Sequence, residues 1–238
     1  MSRTVHVVGA GLAGLSTALA ATQRGARVQI YEGATQAGGR CRSFFDDKLD
    51  RQIDNGNHLV LTGNTSVQRY LKRAGAPDAL VAAPKADFPF ADVKTGERWT
   101  VRMNDGPIPW WPFAQDRRPK RVGLAQMAGA GRILFAGPND TIGGLVKAKG
   151  LALTRFWEPM SYAVMNLPPA EASAQLMRAT ALEAWRDGRL ARPMFAPNGL
   201  GPALVDPAVK ALEAASSPVR FGEVLKEVER ADGRISAL

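Results

Sequence analysis

Six residues near the start of the chain, Gly9-Ala10-Gly11-Leu12-Ala13-Gly14, constrain its fold more than any other stretch. They follow a mainly valine run, Val5 to Val8, that reads as a buried parallel strand. Leu12, Leu15, Ala18 and Leu19 then recur at spacings of three and four, which predicts a helix, and Gly25 supplies its stop. Arg27 to Tyr31 reads as a second strand, giving a strand-helix-strand unit with a right-handed crossover. Within the loop, Gly9 permits the tight turn out of the strand and Gly11 lets the backbone approach a diphosphate. Gly14 lets the helix pack closely on the sheet. The helix start, with Leu12 and Ala13, presents free N–H groups and a positive dipole end to phosphates. Glu32, 18 residues after Gly14, stands where a carboxylate accepts hydrogen bonds from a ribose.

Beyond this unit, residues Gly33 to Asn57 are Gly-rich and polar, and Thr65 to Ala74 reads as a short helix closed by Gly75 and Pro77. From Ala83 to Trp111, short apolar pieces broken at Thr95-Gly96 and Asp105-Gly106-Pro107 predict strands. Val122 to Gly188 predicts helices, one beginning at Pro169 with Ala172, Leu176, Ala179 and Leu182 on one face. After Pro207 a helix to Ala215 leads into a strand, Val219 to Phe221, and then a hairpin turning at Asp232-Gly233. The expected class is α/β: a Rossmann-like nucleotide-binding domain, parallel sheet plus hairpin, over 1–82 and 206–238. A mixed α+β, mostly helical substrate subdomain is expected as an insertion over 83–205.

Composition narrows the function classes. Apolar residues at 45% and charged residues at 22% are the balance of a globular chain. One cysteine, Cys41, excludes an intrachain disulfide, and with only two histidines no metal site is expected. The glycines at positions 9, 11 and 14 set the first apolar stretch apart from a signal-peptide core. The net charge of +9 comes mostly from scattered Arg and Lys, and nucleic acid is not an expected partner. One cluster differs: Arg117, Arg118, Lys120 and Arg121 follow Trp110, Trp111 and Phe113, so Ile108 to Arg121 is expected to meet an anionic membrane surface.

The feature that separates one dinucleotide from another lies behind Glu32, in Gly38-Gly39-Arg40-Cys41-Arg42-Ser43. Paired glycines followed by arginines make a loop that passes close to a diphosphate and neutralises it. This GGRxxS segment resembles that of the amine oxidase and carotenoid desaturase superfamily of flavoproteins. The resemblance implies FAD as cofactor, with Gly38, Gly39, Arg40 and Arg42 at its diphosphate and ribityl chain and Cys41 as a small filler. Ile53 to His58 resembles the family segment that passes beside the isoalloxazine ring, which implies cofactor contacts from Asn55, Gly56, Asn57 and His58. For His58, acid-base and ring-packing roles both stay open. Leu225 would lie where a backbone segment meets the adenine.

Ala37 to Leu59 and Arg155 to Gln175, with Trp157, Glu158, Pro159, Asn166, Pro168 and Pro169, resemble one branch, the hydroxysqualene dehydroxylases of bacterial hopanoid synthesis. That branch implies reductive removal of an allylic hydroxyl from hydroxysqualene to give squalene, hence a polyisoprenoid substrate. It also implies a cytoplasmic enzyme, peripheral on the inner face of the bacterial cytoplasmic membrane. Glu158 and Asn166, polar groups in an apolar helical region, are candidate substrate contacts, and no catalytic residue is assigned. Members are longer than this chain, so a fragment or split product is expected, completed by a C-terminal polypeptide. Two rivals stay open: a carotenoid or phytoene-type desaturase, and a non-catalytic flavin-binding or interaction module.

Overall fold

The computed structural model describes residues 4–56, 58–231 and 234–237. The chain opens with β1 (Thr4–Val8), α1 (Leu12–Gln23) and β2 (Arg27–Glu32). β3 (Ser43–Asp46) and β4 (Arg51–Asp54) form an antiparallel hairpin, and α2 (Thr65–Arg73) follows. A second hairpin pairs β5 (Asp87–Ala91) with β6 (Arg98–Arg102). Short helical turns then lead to α3 (Glu158–Met165) and α4 (Ala174–Thr180). The chain closes with α5 (Asp206–Ala214), β7 (Val219–Phe221), β8 (Glu229–Ala231) and β9 (Arg234–Ala237).

Contacts divide these elements into two compact units, the first of Met1–Leu59, Thr65–Val81 and Phe195–Leu238, the second of Val60–Asn64 and Ala82–Met194. The sequence reading draws its boundaries at 82/83 and 205/206. The structure instead groups 195–205 with the first unit and 60–64 with the second.

In the first unit, β2 is central in a parallel sheet ordered β1-β2-β7. Ile30 and Val28 of β2 and Leu15, Ala18 and Leu19 of α1 are buried together with Leu212 of α5. The predicted helix stop is geometric: Gly25 takes φ +78°, its N–H bonds Thr22 O, and Ala26 N–H reaches back to Ala21 O. Tyr70 of α2 donates its hydroxyl to Leu204 O at 2.6 Å, which fastens the helix to the turn before α5. β8 and β9 pair antiparallel, as the hairpin pattern predicts, while its turn residues Asp232 and Gly233 lie outside the described residues.

The second unit is a mixed, mostly helical body. Its core holds Trp111, Phe156, Trp157, Met177, Val101 and Ile142, with the Phe156 and Trp157 rings edge to face at 5.1 Å. A wide π-helical turn over Leu153–Trp157 runs directly into α3, and Arg155, Phe156 and Trp157 are all buried. Burial of Arg155 is compensated by Glu97, which accepts from its guanidinium, and by Lys120 O at 2.8 Å. Val60 and Leu61 pair antiparallel with Met194 and Pro193.

Two expectations need correction. The helix expected from Pro169 begins at Ala174, because Ser173 caps it by accepting from Leu176 N–H. Pro168 and Pro169 instead form a turn whose carbonyls accept from Ala172 and Gly143. Leu176 is then 59% exposed and Met177 fully buried, so the inward face is Ala174, Met177 and Ala184. Second, the polar stretch after Gly33 contains β3 and β4, in register from Ser43↔Asp54 to Asp46↔Arg51. Asp46 Oδ1 accepts from Lys48 and Leu49 N–H and closes their turn.

Candidate cofactor site

The site is built at the carboxyl ends of β1 and β2, where an open parallel sheet leaves its ligand crevice. Gly9 leaves β1 at φ +93°, a left-handed conformation that favours glycine, and its N–H bonds Tyr31 O at 2.7 Å. A Cβ on Gly14 would stand 1.8 Å from Gly9 O and 3.3 Å from Val7, so the first turn of α1 can close on the loop only with glycine there. A Cβ on Gly11 would meet nothing within 4 Å, so no contact of the protein itself requires glycine at this position. Open space beside Gly11 is what a bound group would occupy. Gly11 caps α1 without a side chain, and no acidic residue lies in the first turn. The amides of Ala13 and Gly14, in that turn, have no helical carbonyl ahead of them.

The second loop is tied to the first. Gly38 N–H donates to Ala10 O at 2.8 Å, and Gly11 and Gly38 form a parallel bridge. Both glycines of the pair have positive φ, +106° for Gly38 and +55° for Gly39, and a Cβ on Gly39 would sit 3.6 Å from Gly11 Cα. Arg40 and Arg42 are exposed, and among the described residues neither pairs with a carboxylate. Two guanidinium groups on one short loop, bonded to an uncapped helix start, gather the positive charge and free N–H groups that a diphosphate would need.

Glu32 ends β2 with both carboxylate oxygens engaged, Oε2 accepting from Ala10 N–H at 2.7 Å and Oε1 from Ala34 N–H at 2.9 Å. Two contacts hold the carboxylate against the glycine loop, and each oxygen keeps a lone pair for a hydroxyl. Val8, Tyr31, Glu223, Val224 and Leu225 line a small cleft of about 120 Å³ at the same strand ends. Leu225 thus lies beside the strand that carries Glu32.

Asn55 and Gly56 pack on the arginine loop: Asn55 N–H donates to Arg42 O at 3.0 Å and its side-chain amide to Arg40 O at 3.4 Å. His58 is exposed, and Asn57 lies outside the described residues. Burial, followed by the neighbouring Asp54 charge, pushes the Cys41 thiol up, so it stays protonated and unreactive at neutral pH. Glu158 stands half-buried in the first turn of α3, where a carboxylate favours the helix dipole. Asn166 is the left-handed cap of the same helix at φ +56°, its N–H bonded to Tyr162 O. Neither lines any described cavity.

Sequence reasoning missed a polar clamp behind the arginine loop. Ser43 Oγ donates to Asp54 Oδ1 at 2.5 Å and accepts from Gly201 N–H, while Leu200 N–H donates to the same Asp54 oxygen at 2.8 Å. Gly199, at φ +95°, and Gly201 leave no room for a Cβ against Ser43. The signal was present in Gly199-Leu200-Gly201, whose two glycines have no partner motif nearby in sequence. Arg42 and Ser43 also line a cavity of about 640 Å³ with Gln36, Gln52, Lys210 and Phe221. Among the described residues no cluster of His, Cys, Asp or Glu could hold a metal ion, and no helix is long and apolar enough to cross a membrane.

Residues 12–237 match the family model described as flavin containing amine oxidoreductase. The chain is 39% identical over its whole length to a hydroxysqualene dehydroxylase of Sinorhizobium fredii and 37% identical to that of Rhodopseudomonas palustris. It spans 57% of the length of each. Among solved structures, an oxidoreductase from Methanosarcina mazei superposes with a TM-score of 0.72 at 15% identity, over 99% of this chain and 57% of that one. That likeness concerns the fold.

Proposed function

Because this chain belongs to the flavin containing amine oxidoreductase family, we propose that it is the FAD-binding part of an oxidoreductase that converts hydroxysqualene to squalene. The observation that carries the flavin assignment is the joined pair of loops: Gly11 beside open space, Gly38 bonded to Ala10, and Arg40 and Arg42 with no carboxylate partner among the described residues. These residues fit a flavin dinucleotide. Ala13, Gly14, Arg40 and Arg42 would hold its diphosphate, and Glu32 its ribose. When bound, FAD supplies the two-electron redox chemistry. The substrate assignment is supported by identity along the whole chain to hydroxysqualene dehydroxylases.

The reaction removes an allylic hydroxyl: the C–O bond breaks, a C–H bond forms at the same carbon, and two electrons from the reduced cofactor and two protons are consumed, with water as the second product. The chain's own residues orient the cofactor and place positive charge beside its phosphates. The second unit, with its apolar core, is assigned to the substrate side. The test is anaerobic incubation of the chain with FAD reduced by dithionite and hydroxysqualene, and of the chain with oxidised FAD and phytoene, each alone and with the uncovered portion of a relative supplied in trans. Squalene formation is the expected result. Dehydrogenation of phytoene with no loss of oxygen from hydroxysqualene would assign the chain to the desaturases. Flavin retention without either reaction would leave the binding-module reading.

A further inference from the structure

The second unit carries a groove of about 530 Å³ that none of the residues assigned to the flavin lines. Four cations line it, Arg98, Arg102, Arg118 and Lys120, against one carboxylate, Asp116. Neighbouring acids do not cancel this excess. Glu97 is shared by Lys120, Arg121 and Arg155, and Asp87 stands 3.8 Å from Arg102. Arg98 and Arg118 pair with no carboxylate among the described residues. Part of the lining is rigid: Phe90 and Trp99 of the β5–β6 hairpin stack in parallel at 5.7 Å, and the Arg155 guanidinium lies over Trp99 at 5.1 Å.

The segment bordering this groove holds large apolar side chains out in solvent by design of its backbone. Asn104, 4% exposed, accepts from the N–H groups of both Trp110 and Trp111 and donates to Asp105 O and Ile108 O. That buried amide fixes the turn, sending Trp111 into the core while Ile108, Trp110 and Phe113 remain 75%, 46% and 68% exposed. Arg118 donates to Pro112 O and Arg102 to Asp116 O, which tie the apolar turn to the cationic groove. Arg117 lies over the Trp110 ring at 4.6 Å. A fixed apolar rim of this kind costs solubility unless a partner covers it. Aromatic rings flanked by cations match the boundary between headgroups and acyl chains, where rings enter and guanidinium groups meet phosphates.

We propose that this groove and rim bind the surface of an anionic phospholipid bilayer, with headgroup phosphates between Arg98, Arg102 and Arg118 and with Ile108, Trp110 and Phe113 inserted. The site rests on the geometry of the second unit and does not depend on the substrate assignment. The test is flotation of the whole chain with vesicles of phosphatidylglycerol in phosphatidylcholine and of phosphatidylcholine alone. Arg98→Gln/Arg102→Gln removes exposed charge, and Ile108→Ser/Phe113→Ser removes exposed apolar surface; circular dichroism checks that each folds. The chain is expected to float only with the anionic vesicles. Loss of two basic residues near such a surface should weaken that binding about 30-fold, and the serine pair should weaken it on the same vesicles. Equal flotation of the native and Arg98→Gln/Arg102→Gln proteins, equal flotation on both vesicle types, or no flotation of the native chain would overturn the proposal. Full release by inorganic phosphate at constant ionic strength would reassign the groove to a free anion, and binding of an oligonucleotide in place of vesicles to a nucleic acid.

Discussion

Arg40 shows how much of the site is carried by single side chains. Its backbone carbonyl is held by the Asn55 amide, while its guanidinium has no carboxylate among the described residues. A charge-assisted hydrogen bond contributes about 1.5–3 kcal/mol, which converts to roughly 10- to 150-fold in affinity. Arg40→Ala is therefore expected to raise the FAD dissociation constant by that factor and to leave the fold intact, as read by flavin fluorescence titration and circular dichroism. Unchanged affinity would place the diphosphate elsewhere. Residues of this kind were legible in the sequence because glycine and arginine have local reasons to stand where they do. Asp54 and Ser43 were not, since their partners Leu200 and Gly201 are joined to them only by folding.

Among the elements, the β3–β4 hairpin matters most to the site, because it suspends the arginine loop from the turn before α5. Ser43 Oγ is the hinge of that suspension, donating once and accepting once. Ser43→Ala leaves Gly201 N–H without its acceptor, while Asp54 Oδ1 keeps only Leu200 N–H, at a cost of about 1–3 kcal/mol. The expected outcome is a lower urea midpoint and faster loss of FAD on dilution; an unaltered flavin off-rate would show that the clamp only stabilises. Local pattern served β1, α1 and β2 well, where strand, glycine turn and helix period agree with their neighbours. It failed for β3 and β4, whose Phe44 and Phe45 are both exposed, so no inward and outward alternation marks them. It failed again for α4 and the helical turn over Ala181–Trp185 that continues it, where Leu176 and Leu182 have the right spacing but face solvent. Spacing identifies a helix, and only the packing partners decide which face turns inward.

On the scale of the whole molecule, the two units respond to different conditions. In the second, the hydrogen bond from Arg155 holds the Glu97 carboxyl below its usual range, and that from Arg189 does the same for Asp187. A carboxylate depressed in the folded state stabilises fully above its unfolded value and loses that contribution as pH falls through the folded one. The urea midpoint of this unit should thus hold from neutrality to about pH 4 and decline below it. Glu97→Gln should start lower and fall less steeply; parallel profiles for the two proteins would show that Glu97 is not responsible. The first unit has a different dependence, on chain order. Its central strand, β2, takes one neighbour from β1 and the other from Val219–Phe221. During vectorial synthesis the nucleotide half-sheet leaves the ribosome first, with one edge of β2 unpaired, and must wait while the whole of Ala82–Met194 is made. The unit whose first two strands are made earliest therefore gains the third strand of its sheet only after the second unit has been synthesised.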